Sequence, residues 1–401
     1  SAASDVYKRQ LESKMTRSIG TCNTMGTAST MTAIAEAMGM TLPGASSLPA
    51  ADSGHTRMAA ECGARAVEMV REDLRPSKII TADAVMNGVS ACMALGGSTN
   101  AAIHTIAIAR RAGVALRLDD LGAVAAKIPV CANIFPSGGY LMEDFFFAGG
   151  LPALLAKLGD AIIPGCMTVN GRTLDENIAG ARCWDDDVIR DLDKAVVPLS
   201  KGSSLAVLRG NLCPDGAVMK SSAASPHLLR HTGPAVVFDN PAEMAAKLDD
   251  PSLEITKDSV LVLRNAGPIG APGMPEWGNL PMPKRLLEQG VKDMVRICDG
   301  RMSGTHYGTC VLHVAPESAV GGPLALLKTG DMVALDVPAG TLNMLVDEAE
   351  IAARRASWVK PPERFARSYA KLYERSVSQA PDGCDFDFLS GTEKVPEPPI
   401  F

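Results

Sequence analysis

The densest group of reactive side chains in this sequence lies in one short segment, 298–309, which reads CDGRMSGTHYGT. Apolar runs at 294–297 and 309–314 predict a strand on each side of it. Its glycines allow tight or left-handed turns that a Cβ would oppose, and a Gly-rich turn after a strand can expose a serine hydroxyl. Ser303 is therefore a candidate reactive residue. The alternative is a hairpin turn whose Ser and Thr only cap the backbone, since His306 is a local base only if it folds back.

A second candidate is Cys22, which lies in a Gly- and Thr-rich stretch at the start of a predicted helix within 18–40. Ser29 and Thr30 can cap this helix, and Gly39 is placed to end it. A thiolate at this position would be stabilised by the positive end of the helix dipole and could bind a soft metal centre. The alternative is a buried structural cysteine.

Three acidic residues beside Gly-rich turns are candidate ligands of a hard divalent cation. Glu276 is the single acid of a long Pro- and Gly-rich loop, 265–283, and such a loop inside a compact domain is usually functional or disordered. Glu143 and Asp144 could bind a cation or substrate hydroxyls. For Asp144, capping of a predicted helix at 151–158 is the alternative that we favour.

An anion site is suggested by the sequence GGSTN at 96–100, which precedes a predicted helix at 101–112. Ser98, Thr99 or Asn100 can cap that helix. Free backbone N–H groups at its start would then suit a carboxylate or a phosphate.

Composition excludes several function classes. The chain has 401 residues, of which 46% are hydrophobic and 21% charged, so we expect a soluble globular protein of two or three domains. A net charge of −6 and the lack of a Lys/Arg block argue against nucleic-acid binding. No apolar run approaches the roughly 20 residues that cross a bilayer. The ten cysteines are scattered, and without a secretory signal they indicate reduced thiols in a cytoplasmic protein.

The pattern changes after about residue 190, where short β-like runs separated by Gly/Pro turns replace the helical pattern. This predicts a second, β-rich domain, a barrel or a sandwich, with one helix at 242–248. We assign residues 1–10 to a non-native scar, 11–195 to the first domain, 196–360 to the β-rich domain and 361–401 to a segment that packs on the body. The predicted strands are 204–209, 235–239, 260–264, 294–297, 309–314 and 332–337.

Five blocks in this order resemble the dihydroxy-acid and sugar-acid dehydratase family, over about residues 17–389. They are TCNTMGTASTM, GGSTNAAIH, MEDFFFAGG, GPIGAPGMPE and DGRMSGTHYGT. The resemblance implies an α/β fold class: an N-terminal α/β domain that binds iron–sulfur and Mg²⁺, partial here, followed by a β-rich swivel-type barrel. The first block and the FDFL sequence after Asp385 favour aldonate dehydratases, such as arabonate dehydratase. Dihydroxy-acid dehydratase of branched-chain amino-acid synthesis is the alternative.

The resemblance also implies roles for individual residues. Cys22 matches the last of three cysteines that hold a [2Fe–2S] cluster, and Glu276 matches a carboxylate ligand of Mg²⁺. Ser303 matches the serine whose alkoxide removes the proton beside the substrate carboxylate, and Thr305 lies where a hydroxyl could contact substrate. The implied reaction is loss of water from an aldonate, which gives a 2-keto-3-deoxy sugar acid.

The sequence departs from the family pattern at its upstream end. The other two cluster cysteines, the Asp and carboxylated Lys on Mg²⁺ and a further Glu ligand precede the matching region in the family. Cys22 and Glu276 therefore supply one ligand to each centre, and we expect a fragment that is inactive by itself. The partner is expected to be a sugar acid, with no nucleic acid or membrane, in a dimer or tetramer of identical chains. A non-catalytic assembly piece is the hypothesis from a different class.

Overall fold

The structure is a computed structural model that describes residues 23–391, so the predicted scar at 1–10 lies outside the described residues. Helices dominate up to about residue 200, and a large sheet follows. No helix in the described range is long and apolar enough to span a membrane. The helices are α1 (Thr27–Ala37), α2 (Ser53–Arg71), α3 (Pro76–Ile79), α4 (Ala82–Leu95), α5 (Asn100–Arg111), α6 (Leu118–Ala125), α7 (Met142–Phe147), α8 (Gly150–Leu158), α9 (Leu174–Ile178), α10 (Pro241–Lys247), α11 (Lys284–Glu288), α12 (Glu348–Ser357) and α13 (Ser368–Ser376).

Helix α1 begins earlier than its predicted caps. Gly26 is the N-cap, and Ser29 and Thr30 lie buried inside the helix, so the prediction that they cap it is wrong. The Thr30 hydroxyl instead donates to the Gly26 carbonyl at 2.8 Å, the back-bonding that Ser and Thr adopt within helices. A Cβ on Gly88 of α4 would lie 2.8 Å from the Met38 side chain, so this glycine lets α4 approach the end of α1 closely.

Eight strands of the described chain form one mixed sheet in the order β1-β2-β8-β6-β4-β3-β9-β10, and β5 and β7 form a separate pair. A bridge from Arg209 to Thr341 returns β10 to β1 and nearly closes the large sheet into a barrel, which removes its exposed edges. The predicted α/β class with a β-rich second half is confirmed. The strands are β1 (Ala206–Leu208), β2 (Gly216–Met219), β3 (Arg230–Phe238), β4 (Val260–Leu263), β5 (Glu276–Trp277), β6 (Arg296–Cys298), β7 (Arg301–Met302), β8 (Cys310–Ala315), β9 (Met332–Asp336) and β10 (Thr341–Met344).

The centre of the sheet is parallel and covered on both faces. Strands β3, β4, β6 and β8 run parallel to one another, whereas β9 pairs antiparallel with β3 on one side and β2 pairs antiparallel with β8 on the other. Val260 and Val262 of β4 pack in the barrel interior, and the alternate residues Leu261 and Leu263 pack with the helical region. Continuous apolar runs are typical of such doubly buried strands, which explains why the sequence pattern found them.

A buried ion pair anchors the beginning of β6. The Asp293 carboxylate accepts from Arg296 at 3.1 Å, and the two side chains are 1% and 4% exposed. The same carboxylate accepts from the Thr309 hydroxyl at 2.7 Å and from the Ser225 amide at 3.2 Å. Asp293 therefore fixes both β6 and the segment that leads into β8.

We predict that Asp293→Ala destabilises the chain by about 3–5 kcal/mol, because it leaves the Arg296 guanidinium buried without its charge partner. Urea unfolding of the purified chain measures the change. The control is Asp258→Ala, since Asp258 pairs with Lys257 on the exposed surface, and a shift of no more than about 0.5 kcal/mol is expected there. Equal stabilities of the two variants would contradict this account of the pair.

Candidate active site

Two loops leave the same edge of the sheet side by side. Strands β4 and β6 are parallel neighbours, with Leu263 opposite Cys298 at their carboxyl ends. The loop 264–275 follows β4, and the turn 299–309 follows β6. Ligand sites in parallel sheets form at the carboxyl ends of the strands, so this edge is where the topology favours a site.

The two loops then pair with each other through a second, short sheet. Strand β5 runs parallel to β7, with Glu276 opposite Arg301 and Trp277 opposite Met302. The Ser303 amide continues the pairing by donating to the Trp277 carbonyl at 2.8 Å. Backbone hydrogen bonds therefore tie the predicted magnesium ligand to the predicted proton-abstracting serine.

Two buried carboxylates, Asp299 and Glu317, hold the loop 264–275, which leads to Glu276. Asp299 accepts from the amides of Asn265 at 3.1 Å and Ala266 at 2.8 Å, and also from the Ser318 amide at 2.9 Å. Burial raises the pKa of Asp299, while these hydrogen bonds oppose the shift. Asp299 thus connects the end of β6 to the residues that follow β4.

Glu317 fastens the next part of that loop. Its carboxylate accepts from the amides of Ile269 at 2.9 Å and Gly270 at 2.7 Å, and Gln379 of the C-terminal segment donates to it at 2.8 Å. Burial likewise raises the pKa of Glu317, opposed by the hydrogen bonds. A Cβ on Gly267 would lie 2.5 Å from Glu317 Oε2, so the close approach requires glycine at this position.

Only one oxygen of the Glu276 carboxylate accepts hydrogen bonds from the described residues. Its Oε2 accepts from Asn100 Nδ2 at 2.6 Å and from Thr27 Oγ1 at 3.2 Å. Asn100 is fully buried and also donates to the Met302 carbonyl at 3.1 Å. Glu276 itself is exposed, and within residues 23–391 its Oε1 has no hydrogen-bond donor. The hydrogen bonds to Oε2 therefore orient the Glu276 side chain, and Oε1 is available to a ligand.

Ser303 faces a second hydroxyl rather than a base. Its Oγ lies 2.9 Å from Thr305 Oγ1 and accepts weakly from the Thr305 amide at 3.4 Å. The His306 amide donates to the Ser303 carbonyl at 3.2 Å, but the His306 ring makes no hydrogen bond to Ser303. Burial lowers the pKa of His306, and its Nε2 has no partner among the described residues. The structure brings Ser303 and Thr305 together and leaves His306 apart.

Helix α5 does not begin at a free anion site. The Asn100 amide donates to Ser98 Oγ at 3.2 Å, and the amides of Ala101 and Ala102 donate to the carbonyls of Ser98 and Thr99. Local acceptors thus occupy these N–H groups, and the predicted carboxylate or phosphate site is wrong. The GGSTN segment contributes Asn100 to the candidate active site instead.

The acidic block around residue 144 has a structural role. Asp144 Oδ2 accepts from the Leu141 amide at 2.8 Å and so caps α7. Helix α8 begins after the N-cap Gly149, so the prediction that Asp144 caps the helix at 151–158 is wrong. The sequence did not predict the short helix α7, and the Asp144 carboxylate caps that helix instead.

The described residues offer single ligands rather than a complete metal site. Cys22, the predicted cluster ligand, lies outside the described residues. No group of three or more His, Cys, Asp or Glu that could hold a metal ion occurs within residues 23–391. Glu276 fits one position of a hard-cation site, because its Oε1 is open and the nearby Asn100 Oδ1 is buried without a partner. Carboxylate and amide oxygens are the ligands that Mg²⁺ prefers.

Comparison with known families accounts for both halves of the chain. Residues 2–177 match the dihydroxy-acid/6-phosphogluconate dehydratase N-terminal model, and residues 187–384 match the corresponding C-terminal model. The chain belongs to the dihydroxy-acid/6-phosphogluconate dehydratase family. The resemblance found in the five sequence blocks is thereby confirmed. This family binds an iron–sulfur cluster and Mg²⁺.

The curated relatives are hydro-lyases named as dehydratases. The chain is 64% identical to 6-deoxy-6-sulfo-D-gluconate dehydratase of Pseudomonas putida, over 98% of this chain and 68% of the relative. It is 48% identical to L-arabinonate dehydratase of Rhizobium leguminosarum bv. trifolii, over 95% and 66%. Identity to dihydroxy-acid dehydratase of Caldanaerobacter subterraneus subsp. tengcongensis is 40%, over 92% and 65%. The chain thus spans about two thirds of the length of these relatives.

Sequence reasoning missed the residues that support the site. Thr27, Asn100 and Asp299 lie inside the five blocks, yet their type gave no sign of their partners, because Asn100 and Glu276 are 176 positions apart. Glu317 lies outside the blocks altogether. The available signal was a polar residue within an otherwise apolar or Gly-rich run, which is a weak indication of buried hydrogen bonding.

We predict that Glu317→Gln destabilises the chain by about 1–3 kcal/mol, because the amide nitrogen that replaces one carboxylate oxygen cannot accept a hydrogen bond and leaves a buried donor unpaired. Amide hydrogen exchange of Ile269 and Gly270 should quicken in the same variant. Thermal unfolding and exchange mass spectrometry measure both effects. The control is Glu61→Gln on the exposed surface of α2. Unchanged exchange of the loop 264–275 in the Glu317 variant would rule out this role.

Proposed function

We propose that this chain carries the proton-abstracting part of the active site of a sugar-acid dehydratase. The reaction removes water from an aldonate and gives a 2-keto-3-deoxy sugar acid. We further propose that residues 11–195 belong to the cluster-binding domain, with Cys22 as a ligand, and that 196–360 form the swivel domain. The whole enzyme is proposed to be a cytoplasmic homo-oligomer, a dimer or a tetramer.

The observation that carries the proposal is the backbone link between Glu276 and Ser303. The β5–β7 pairing and the bond from the Ser303 amide to the Trp277 carbonyl put a carboxylate of β5 beside the serine that directly follows β7. A dehydratase needs such an arrangement, since the group that orients the substrate carboxylate must adjoin the base that removes the neighbouring proton. The higher identity to the two sugar-acid dehydratases than to dihydroxy-acid dehydratase supports an aldonate as substrate.

In the proposed mechanism, Glu276 would be one ligand of Mg²⁺, held in place by Asn100 and Thr27. When bound, Mg²⁺ and the cluster supply Lewis acidity to the substrate. Ser303, as the alkoxide, takes the proton from C2, and the electron pair of the broken C–H bond forms the C2–C3 double bond. The C3–O bond breaks and its electron pair leaves with the 3-hydroxyl group, which takes up one proton to become water, so that the proton removed by Ser303 and the departing hydroxide balance as one water lost. The enol then tautomerises to the ketone. Thr305 donates a hydrogen bond to Ser303 Oγ or to the substrate.

A substrate panel tests the proposal in a completed chain, in which the sequence is joined to the part of the Pseudomonas putida relative that it does not cover. We expect turnover of gluconate, arabonate, xylonate or 6-deoxy-6-sulfo-D-gluconate under anaerobic conditions. The measurement is the appearance of the 2-keto-3-deoxy acid. The comparison substrate is 2,3-dihydroxyisovalerate.

The outcomes separate the candidate functions. Turnover of 2,3-dihydroxyisovalerate alone would assign the chain to dihydroxy-acid dehydratase and overturn the sugar-acid proposal. A completed chain that binds iron and Mg²⁺ but turns over none of the acids would favour the non-catalytic assembly role.

Ser303→Ala in the completed chain should lower kcat at least about 10²-fold, because a general base is lost. Iron and magnesium contents should stay at the wild-type level, since Ser303 is not a proposed ligand. The matched control is Ser252→Ala, an exposed serine that is not part of the candidate active site. A kcat close to that of wild type, with intact metal content, would remove Ser303 from the mechanism.

A further inference from the structure

One buried cation adjoins the candidate active site without a role in the reaction proposed above. Lys220 follows β2, is 7% exposed, and donates from Nζ to the Gly304 carbonyl at 3.2 Å. Gly304 is the residue between Ser303 and Thr305. The ammonium group of Lys220 therefore contacts the backbone of the turn that presents both hydroxyls.

The segment that begins with Lys220 holds this turn at further points. The Gly308 amide donates to the Ala223 carbonyl at 2.9 Å, and Ser225 Oγ lies 3.3 Å from the Tyr307 hydroxyl. These contacts fix the second half of the turn. Lys220 is the contact to its first half, where Ser303 lies.

Gly304 is confined on its other side by the helical region. A Cβ on Gly304 would lie 2.5 Å from both the Cβ and the Oγ of Ser98, so this residue packs directly against the GGSTN segment. With Ser98 on one side and the Lys220 ammonium bound to its carbonyl, the peptide has little freedom to rotate. The 2.9 Å separation of the Ser303 and Thr305 hydroxyls depends on that peptide.

A lysine at this position is costly for the fold. Burial lowers the pKa of Lys220 to about 7, and the Cys92 thiol opposes the shift. Burial raises the pKa of Cys92 itself to about 12, so the thiol is neutral and does not compensate the ammonium charge. No carboxylate of the described residues contributes to the shift. An apolar side chain of similar length would fill the space without this desolvation, so fold stability alone does not explain the lysine.

We infer that Lys220 is a positioning residue for Ser303: its hydrogen bond to the Gly304 carbonyl holds the turn in the geometry that sets the Ser303 hydroxyl beside Thr305. This inference rests on the proposed function, because it assigns Ser303 to the chemical step. Lys220 contacts the backbone of the turn and acts on the reaction only through it.

The test compares Lys220→Met with Lys220→Gln in the completed chain, with exposed Lys201→Met as control. Met matches the length of Lys without a donor, and Gln keeps an N–H donor without the charge. We expect Lys220→Met to lower kcat about tenfold or more with little change in KM, while its Tm stays level or rises. Lys220→Gln should recover most of the lost kcat, and Lys201→Met should match wild type.

A second readout does not depend on activity. In the 401-residue chain, Lys220→Met should speed amide exchange of Thr305 and His306 about tenfold or more and leave β2 and β8 unchanged. If the wild-type completed chain turns over no acid, the proposed function fails, and this exchange result decides the inference alone. The inference is overturned if Lys220→Met keeps kcat, or the amide exchange rates of the turn, within about twofold of wild type. It is overturned as well if Lys220→Gln has no higher kcat than Lys220→Met, or if Lys220→Met does not fold.

Discussion

The hydrogen bond from Asn100 to Glu276 is the contact on which the candidate site depends. It joins the first residue of α5 in the N-terminal half to β5 in the C-terminal half, with Asn100 Nδ2 lying 2.6 Å from Glu276 Oε2. The Asn100 amide is fully buried and is shared with the Met302 carbonyl and Thr27. A buried amide is costly unless its hydrogen bonds are made, so both halves must dock for the N–H groups of Asn100 to find their acceptors.

Docking and site formation are therefore one event in this molecule. The C-terminal half alone supplies the β4 and β6 edge, with Glu276 on β5 and Ser303 directly after the paired strand β7. The helical region adds Asn100 and Thr27, which orient the Glu276 carboxylate, and Ser98, which confines Gly304. Each side brings groups that are unpaired without the other, which makes the geometry of the interface specific.

Buried ionisable side chains surround the two loops. Asp299, Glu317 and Asp293 accept backbone amides or a guanidinium, and Lys220 donates to a carbonyl. Gly267 allows the backbone to approach Glu317, and Gly304 allows it to pack against Ser98. Loops without regular structure need such partners for their N–H and C=O groups, and here the same partners give the loops a fixed shape.

The sequence by itself determined the family, the α/β class and most central strands, because buried parallel strands appear as short apolar runs between Gly/Pro turns. It also singled out Ser303, Thr305 and Glu276, since they lie in blocks with a recognisable order. It did not yield the capping of α1 and α7, the pairing of Asn100 with Glu276, or the position of Lys220. These features depend on which residues of the two halves become buried together. The spacing of residues along the sequence carries no information about a contact between residues 176 positions apart. Tertiary packing alone decided them, because a buried polar group takes whichever partner the docked surfaces bring within hydrogen-bond distance.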